Sequence, residues 1–142
     1  MSTIVATQNL QVGALTDTRA ATLLAAELML FQNDLEPGPN IPIGDYTEAD
    51  YTGYGAEVVT WTVPTINDEG NIEIVGTAGE FRPTGTTVQN AIYGWLLTTG
   101  AGALLAAGRF DGAPLPMESA LDAILLIPRL RLTPEGIVVV VS

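Results

Sequence analysis

Residues 91–98 are apolar at both parities of an extended chain. Ala91, Tyr93, Trp95 and Leu97 fall on one side and Ile92 and Leu96 on the other, with no charge among them. A strand that is apolar on both faces is covered on both faces, which places it inside a sheet. Thr99-Gly100-Ala101-Gly102 then supplies the glycines that short hairpin loops use for positive φ. Residues 103–110 begin apolar and finish at Arg109, followed by Asp111, so the return arm runs out toward solvent. The pattern predicts a β-hairpin over residues 90–112 with the other strands packed around it.

Period-two alternation marks those other strands. Over residues 27–33, Leu28 and Leu30 oppose Glu27, Met29 and Phe31. Over residues 56–63, Glu57, Val59, Trp61 and Val63 oppose Val58, Thr60 and Thr62, and Pro64 ends the pairing. Residues 71–81 form the next strand, with Ile72, Ile74 and Ala78 directed inward. Its Gly76 and Gly79 mark bulges or close backbone approach. In residues 122–133, Ile124, Leu126, Leu130 and Leu132 share one parity. The other passes from Ala123, Leu125 and Ile127 to Arg129 and Arg131, so one end is predicted to be buried on both faces. Pro128 is expected at a bulge or on an edge. Residues 137–141, Ile-Val-Val-Val-Val, need a pairing partner, either in their own sheet or on a neighbouring subunit.

The connections are equally legible. Residues 34–44 hold three prolines and two glycines and form a loop, residues 67–71 form a turn, and residues 113–116 form a rigid extended connector. Residues 1–15 read as an N-terminal arm. Helical signals are confined to residues 18–26, capped by Thr16 and Asp17, and to one capped turn at residues 47–50. Six to eight strands with turn signals between them predict a single all-β domain over residues 1–142. Its architecture is an antiparallel β-sandwich or jelly-roll-like fold with room for one short N-terminal helix.

Charge changes the picture. Sixteen acidic residues face five basic ones, for a net charge of −11, and the basic residues are all arginine; there is no lysine, histidine or cysteine. Nucleic acid and anionic membranes should repel such a chain. A basic partner or a divalent cation would suit it, and so would simple solubility. No run approaches the ~20 apolar residues of a membrane-spanning helix. The first residues lack the basic start of a signal peptide, so the expectation is a soluble protein made in the cytoplasm.

The composition excludes a Ser-His-Asp triad, a Schiff-base amine, a phosphate-cradling lysine, a disulfide framework and a thiolate zinc site. Two carboxylates could still hydrolyse a glycosidic bond, and Glu57, Glu73 and Glu80 lie on strands. The alternation instead places them on solvent faces. Trp61 and Trp95 belong to the core rather than to a glycan platform. Residues 67–71, and Asp45 with Glu48 and Asp50, are the densest oxygen clusters for calcium, yet neither matches an EF-hand loop; a hairpin turn and a helix cap explain them. Arg129 and Arg131 share a strand face and should pair with acids across a strand or across a subunit boundary. Tyr46, Tyr51 and Tyr54 cluster around one loop region. No catalytic, cofactor-binding or metal-ligating residue is assigned, and no enzyme is expected.

Several phrases in order carry a resemblance. They are Leu30-Phe31-Gln32-Asn33 followed by Pro37, the run from Tyr46 to Tyr54, Ile92-Tyr93-Gly94-Trp95, Arg109-Phe110, and Pro116-Met117. Over roughly residues 28–132 the chain resembles small virion-associated, capsid-decoration-like proteins of tailed bacteriophages. The resemblance implies a structural component of the phage particle, located in the virion. Its partners would be the major capsid protein or other virion proteins, with self-association into a homo-oligomer. The motifs are structural and carry no catalytic residues. The alternative is a glycan- or ligand-binding β-module of a phage tail or cell surface, using the Tyr46, Tyr51 and Tyr54 region. Residues 137–142 and the N-terminal arm lie outside the resemblance and are the candidates for contacts between subunits.

Overall fold

A computed structural model describes residues 2–4, 26–62, 65–66, 68–84, 90–133 and 136–141. In chain order the strands are β1 (Ser2–Ile4), β2 (Glu27–Phe31), β3 (Glu57–Val58), β4 (Thr65–Ile66), β5 (Ile72–Val75), β6 (Gly79–Phe81) and β7 (Asn90–Ile92). They continue as β8 (Gly94–Thr98), β9 (Leu104–Arg109), β10 (Leu115–Met117), β11 (Ile124–Leu126), β12 (Pro128–Thr133) and β13 (Gly136–Val141). A single 3-10 turn covers Ile43–Asp45, and no α-helix occurs among the described residues. Among the described residues all pairing is antiparallel: a four-stranded sheet in the order β3-β2-β8-β9, a five-stranded sheet in the order β1-β13-β12-β5-β4, and the pairs β10-β7 and β11-β6. The protein is an all-β sandwich, as its alternation predicts.

The sandwich is built on β8. All five of its residues are buried. Its register sets Trp95 opposite Leu30 and Leu97 opposite Leu28. These four join Leu130, Val139 and Val141 of the five-stranded sheet, and Phe81, Ile124 and Leu126 of β6 and β11, in one core. The other face of β8 points away from that core. There Leu96 meets Phe31, Leu104, Ala107 and Tyr46, closed over by Leu35, Ile41 and Ile43. The loop of residues 34–44 is therefore the second cover of the central strand. Leu35, Ile41 and Ile43 are partly buried there, so each recovers a fraction of the roughly 1.5–3 kcal/mol that full burial of such a side chain gives. Arg109 pins the loop's start, donating to Asp34 Oδ1 at 2.6 Å while its guanidinium lies 5.1 Å from the centre of the Tyr93 ring. The hairpin β8–β9 turns through Thr99–Ala103, with Gly102 at φ 89°.

Three predicted strands are bent where they pass from one sheet to the next. Residues 71–81 break after Val75: β5 pairs with β12, and β6 pairs with β11. Residues 122–133 break at Ile127, where β11 pairs with β6 and β12 with β5. Residues 56–63 leave β2 after the Val59 N–H donates to Ala26 O at 2.9 Å, and Thr62 N–H then donates to Val75 O at 2.8 Å. Gly76 sits in this corner and donates to Pro128 O at 2.8 Å; a Cβ there would lie 2.5 Å from Val59 Cγ1 and 2.7 Å from Pro128 Cγ. Pro128 thus occupies neither a bulge nor an edge. It opens β12, a strand position where a missing N–H is tolerated.

Other expectations are corrected. Residues 91–98 are two strands, because β7 turns away to pair with β10, and Ala91 is exposed. The connector at 113–116 feeds directly into β10. Residues 47–50 are extended rather than helical. Gln32 N–H donates to Thr47 O, Ala49 N–H to Leu30 O and Thr47 N–H to Asn33 Oδ1, so the segment is held along β2. Ala123 and Leu125 are exposed, as are Ile72 and Ala78. Residues 137–141 take one of their two expected alternatives and pair within their own sheet, with β12 on one side and β1 on the other. The predicted helix at 18–26 falls almost wholly outside the described residues; Ala26, its last position, is buried and non-helical at the start of β2.

Gly94 provides the sharpest test of two-sided burial. A Cβ at this position would lie 2.5 Å from two carbons of the Phe31 ring and would meet the Gly108 carbonyl oxygen. Gly94→Ala is expected to lower stability by about 3 kcal/mol in chemical denaturation. Gly44→Ala, which meets nothing within 4 Å, should stay near wild type. Equal effects at the two positions would contradict this packing.

Candidate functional site

Glu57 and Glu80 come together; Glu73 does not join them. A cleft of about 230 Å³ opens between the loop that enters β3 and the strand β6. Tyr51, Gly53, Gly55 and Glu57 line one wall, and Glu80, Phe81 and Arg82 line the other. Gly79 allows the approach, since a Cβ there would lie 3.3 Å from Glu57 Cβ. Gly53 shapes the loop in the left-handed region at φ 90°, where Thr84 N–H donates to Thr52 O at 2.9 Å.

Arg82 fixes the far wall. Its Nε donates to Glu80 Oε1 at 2.9 Å and its Nη1 to Ala120 O at 2.7 Å. Leu125 is paired directly opposite Glu80 and is 55% exposed; Leu121, next to the carbonyl that Arg82 holds, is 91% exposed. Two carboxylates and one guanidinium leave the cleft with a net negative charge and an apolar rim.

Tyr51 borders the cleft from within. It is 6% exposed, and its hydroxyl has no hydrogen-bond partner among the described residues. Burial, with a smaller contribution from the charge of Glu57, pushes its pKa up to about 12. Tyr54 packs edge-on to Tyr51 at 5.3 Å and stacks on Phe81 at 6.2 Å between ring centres. Its hydroxyl donates to Glu48 Oε2 at 2.7 Å and accepts from Leu30 N–H at 3.3 Å. Burial first, and that bond to Glu48 second, hold Tyr54 far above the usual phenol range. Tyr46 is buried edge-on against Phe31 at 5.0 Å. The three tyrosines therefore serve the interior and do not form an exposed aromatic platform.

The remaining candidates are in structural use. Glu73 lies between two arginines, 2.8 Å from Arg131 and 3.7 Å from Arg129, directly across from Arg131 on the neighbouring strand. The pairing anticipated for these arginines is thus made across a strand of the same chain. Glu48 accepts from Tyr54, Asp50 accepts from Gln32 Nε2 at 3.1 Å, and Asp45 O accepts from Asn33 Nδ2 at 2.9 Å. No group of three or more acidic side chains suited to a metal occurs among the described residues. Asp68 and Glu69 lie in an exposed turn ending at Gly70, φ 81°. Trp95 is fully buried and Trp61 packs partly buried against the core. Arg82 and Leu121 are the site residues that alternation did not reveal. The available signal was Leu121 itself, a leucine among turn residues that no strand could cover.

No family model, curated protein or solved structure matches this chain. No helix among the described residues is long and apolar enough to cross a membrane.

A phenol with a raised folded-state pKa holds its proton more tightly in the folded chain than in the unfolded one. Its contribution to stability is complete below its ordinary value of 10.0 and is lost as pH rises toward about 12. The thermal midpoint should therefore fall steadily above that ordinary value, with tyrosinate absorbance appearing together with unfolding. Tyr51→Phe should raise stability at neutral pH by about 1 kcal/mol, by removing a buried hydroxyl that lacks a partner, and should flatten the alkaline decline. A midpoint independent of pH over that range would contradict the burial of these rings.

Proposed function

We propose that this protein is a structural component of a bacteriophage particle, a capsid decoration or cement protein that binds the shell and is carried in the virion. The observation that carries this reading is the exposure of two large aliphatic side chains near the cleft, Leu125 opposite Glu80 and Leu121 next to the carbonyl that Arg82 holds. Monomeric proteins rarely leave large aliphatic side chains grouped at one place without a partner for them. Ile66, 75% exposed, and its cross-strand neighbour Ile72 form a second apolar spot on the opposite sheet edge, suited to contact between copies.

The partner on this reading is the major capsid protein or another virion protein. Both ladders of β13 are occupied within its own sheet, so the contact passes from the C-terminal strand to the exposed leucines. The resemblance read in the sequence over roughly residues 28–132 points to the same role. An enzymatic role has little to work with: no histidine, lysine or cysteine, Glu73 held by two arginines, and Glu80 held by a third. A glycan-binding role lacks its aromatic platform, because Tyr46 and Tyr51 are interior.

Co-sedimentation with particles of the phage that encodes the protein tests this. The wild-type protein should pellet with the particles, while Leu121→Asp combined with Leu125→Asp should stay in the supernatant with an unchanged thermal midpoint. A wild-type protein that never pellets with those particles would overturn the reading.

A further inference from the structure

We infer that Asp111 and Gly112 form a site of spontaneous covalent change: in the folded protein the Asp111 side chain closes on the Gly112 nitrogen as a succinimide, which reopens to an isoaspartyl linkage. This modification site stands apart from the particle-binding role and does not depend on it.

The sequence supplies the pair. Among the aspartates of the chain only Asp111 is followed by glycine, and no asparagine is. Ring closure requires the nitrogen of the next residue to reach the aspartate Cγ. Glycine has no Cβ to obstruct that approach, and its backbone enters conformations that side chains disfavour. After the other aspartates stand Thr18, Leu35, Tyr46, Tyr51, Glu69 and Ala123.

The fold leaves both reacting groups available. Asp111 and Gly112 are the central residues of the turn that hands the chain from β9 to β10, and both are exposed. Ala113 N–H closes the turn by donating to Phe110 O at 3.2 Å. Such a bond joins the outer residues of a turn and does not use the N–H between the two central ones. Gly112 lies at φ 74°, and a Cβ added there would meet nothing within 4 Å, so the turn stands clear of the rest of the molecule. The Asp111 carboxylate makes no hydrogen bond or ion pair among the described residues. Other aspartates are tied down. Asp34 accepts from Arg109 Nη1 at 2.6 Å, and Asp50 accepts from Gln32 Nε2 at 3.1 Å. Asp122 Oδ2 accepts from the N–H groups of Glu118 and Ser119 at 3.0 and 3.2 Å.

The step balances without a co-reactant. The Gly112 nitrogen bonds to Asp111 Cγ as the carboxyl loses a hydroxyl and the nitrogen its proton, together one water. Water then breaks one of the two C–N bonds of the ring. Cleavage at Cγ restores aspartate. Cleavage at the former backbone carbonyl sends the main chain through Cβ and Cγ and leaves the α-carboxylate as the side group. The isomerised chain keeps its mass and its net charge, and the added main-chain atom lies in the turn before Leu115, where β10 begins to pair with Ile92 of β7.

The test keeps the full-length protein folded in neutral buffer at physiological temperature for several weeks, then digests it with trypsin, which releases residues 110–129 as one peptide. A peptide of the same mass and different retention should grow in, at a rate within fivefold of that of free acetyl-Arg-Phe-Asp-Gly-Ala-Pro-amide. Electron-transfer fragmentation should place the isoaspartate at residue 111. Asp111→Glu keeps the charge but needs a larger ring, and should abolish the new peptide at an unchanged thermal midpoint. Asp111→Asn should release ammonia in place of water, gain one mass unit and convert at least tenfold faster than wild type. No isomer at residue 111 when the free peptide is half converted would overturn the inference. So would an equal extent of isoaspartate at Asp68 or Asp122, or an isomer that grows only in denaturant.

Discussion

The architecture depends on covering one strand from both sides. β8 directs Trp95 and Leu97 into the space between the sheets and Leu96 into a second, smaller cluster. One face needs another sheet; the other needs something thinner. The loop of residues 34–44 fills that need with Leu35, Ile41 and Ile43, while Arg109 anchors its start. Gly94 is where the arrangement is tightest, because the Phe31 ring lies where a side chain would begin. Packing this dense leaves little tolerance for added volume.

A second constraint shapes the surface. Three chain segments bend together where Gly76, Val59 and Pro128 meet, so that β5 and β12 lie in one sheet while β6 and β11 form their own pair. The bend brings β3 alongside β6, makes the cleft, and carries Leu125 out onto its rim. The same geometry that closes the core thus exposes the apolar residues that the proposed role requires.

Much of this was legible in the residues. Two-sided apolarity marked residues 91–98 as interior, which holds for 94–98 while Ala91 is exposed; Gly102 marked the hairpin loop, and Gly76 and Gly79 marked bulges or close approach. The five β-branched residues at the C-terminus announced a strand that needed partners, and β1 and β12 provide them. Sheet changes were not legible. Alternation keeps its phase across a bend, so Ile124, Leu126 and Leu130 share a parity although two sheets receive them. Thr47-Glu48-Ala49-Asp50 has the composition of a capped turn, yet the backbone and side chains of Gln32 and Asn33 hold it extended. Glu57, Glu73 and Glu80 looked alike in sequence; only the register opposite Arg131 separates Glu73 from the cleft.

The proposed role rests on a rigid β body that would meet its partner through the surface around Glu57, Glu80, Leu121 and Leu125. Hydrogen exchange on the free protein and on protein bound to phage particles tests it directly. The amides of β8 should exchange among the slowest in both states, while new protection on binding should be confined to residues 51–57 and 119–125. Protection that appears elsewhere and leaves those segments unchanged would contradict it.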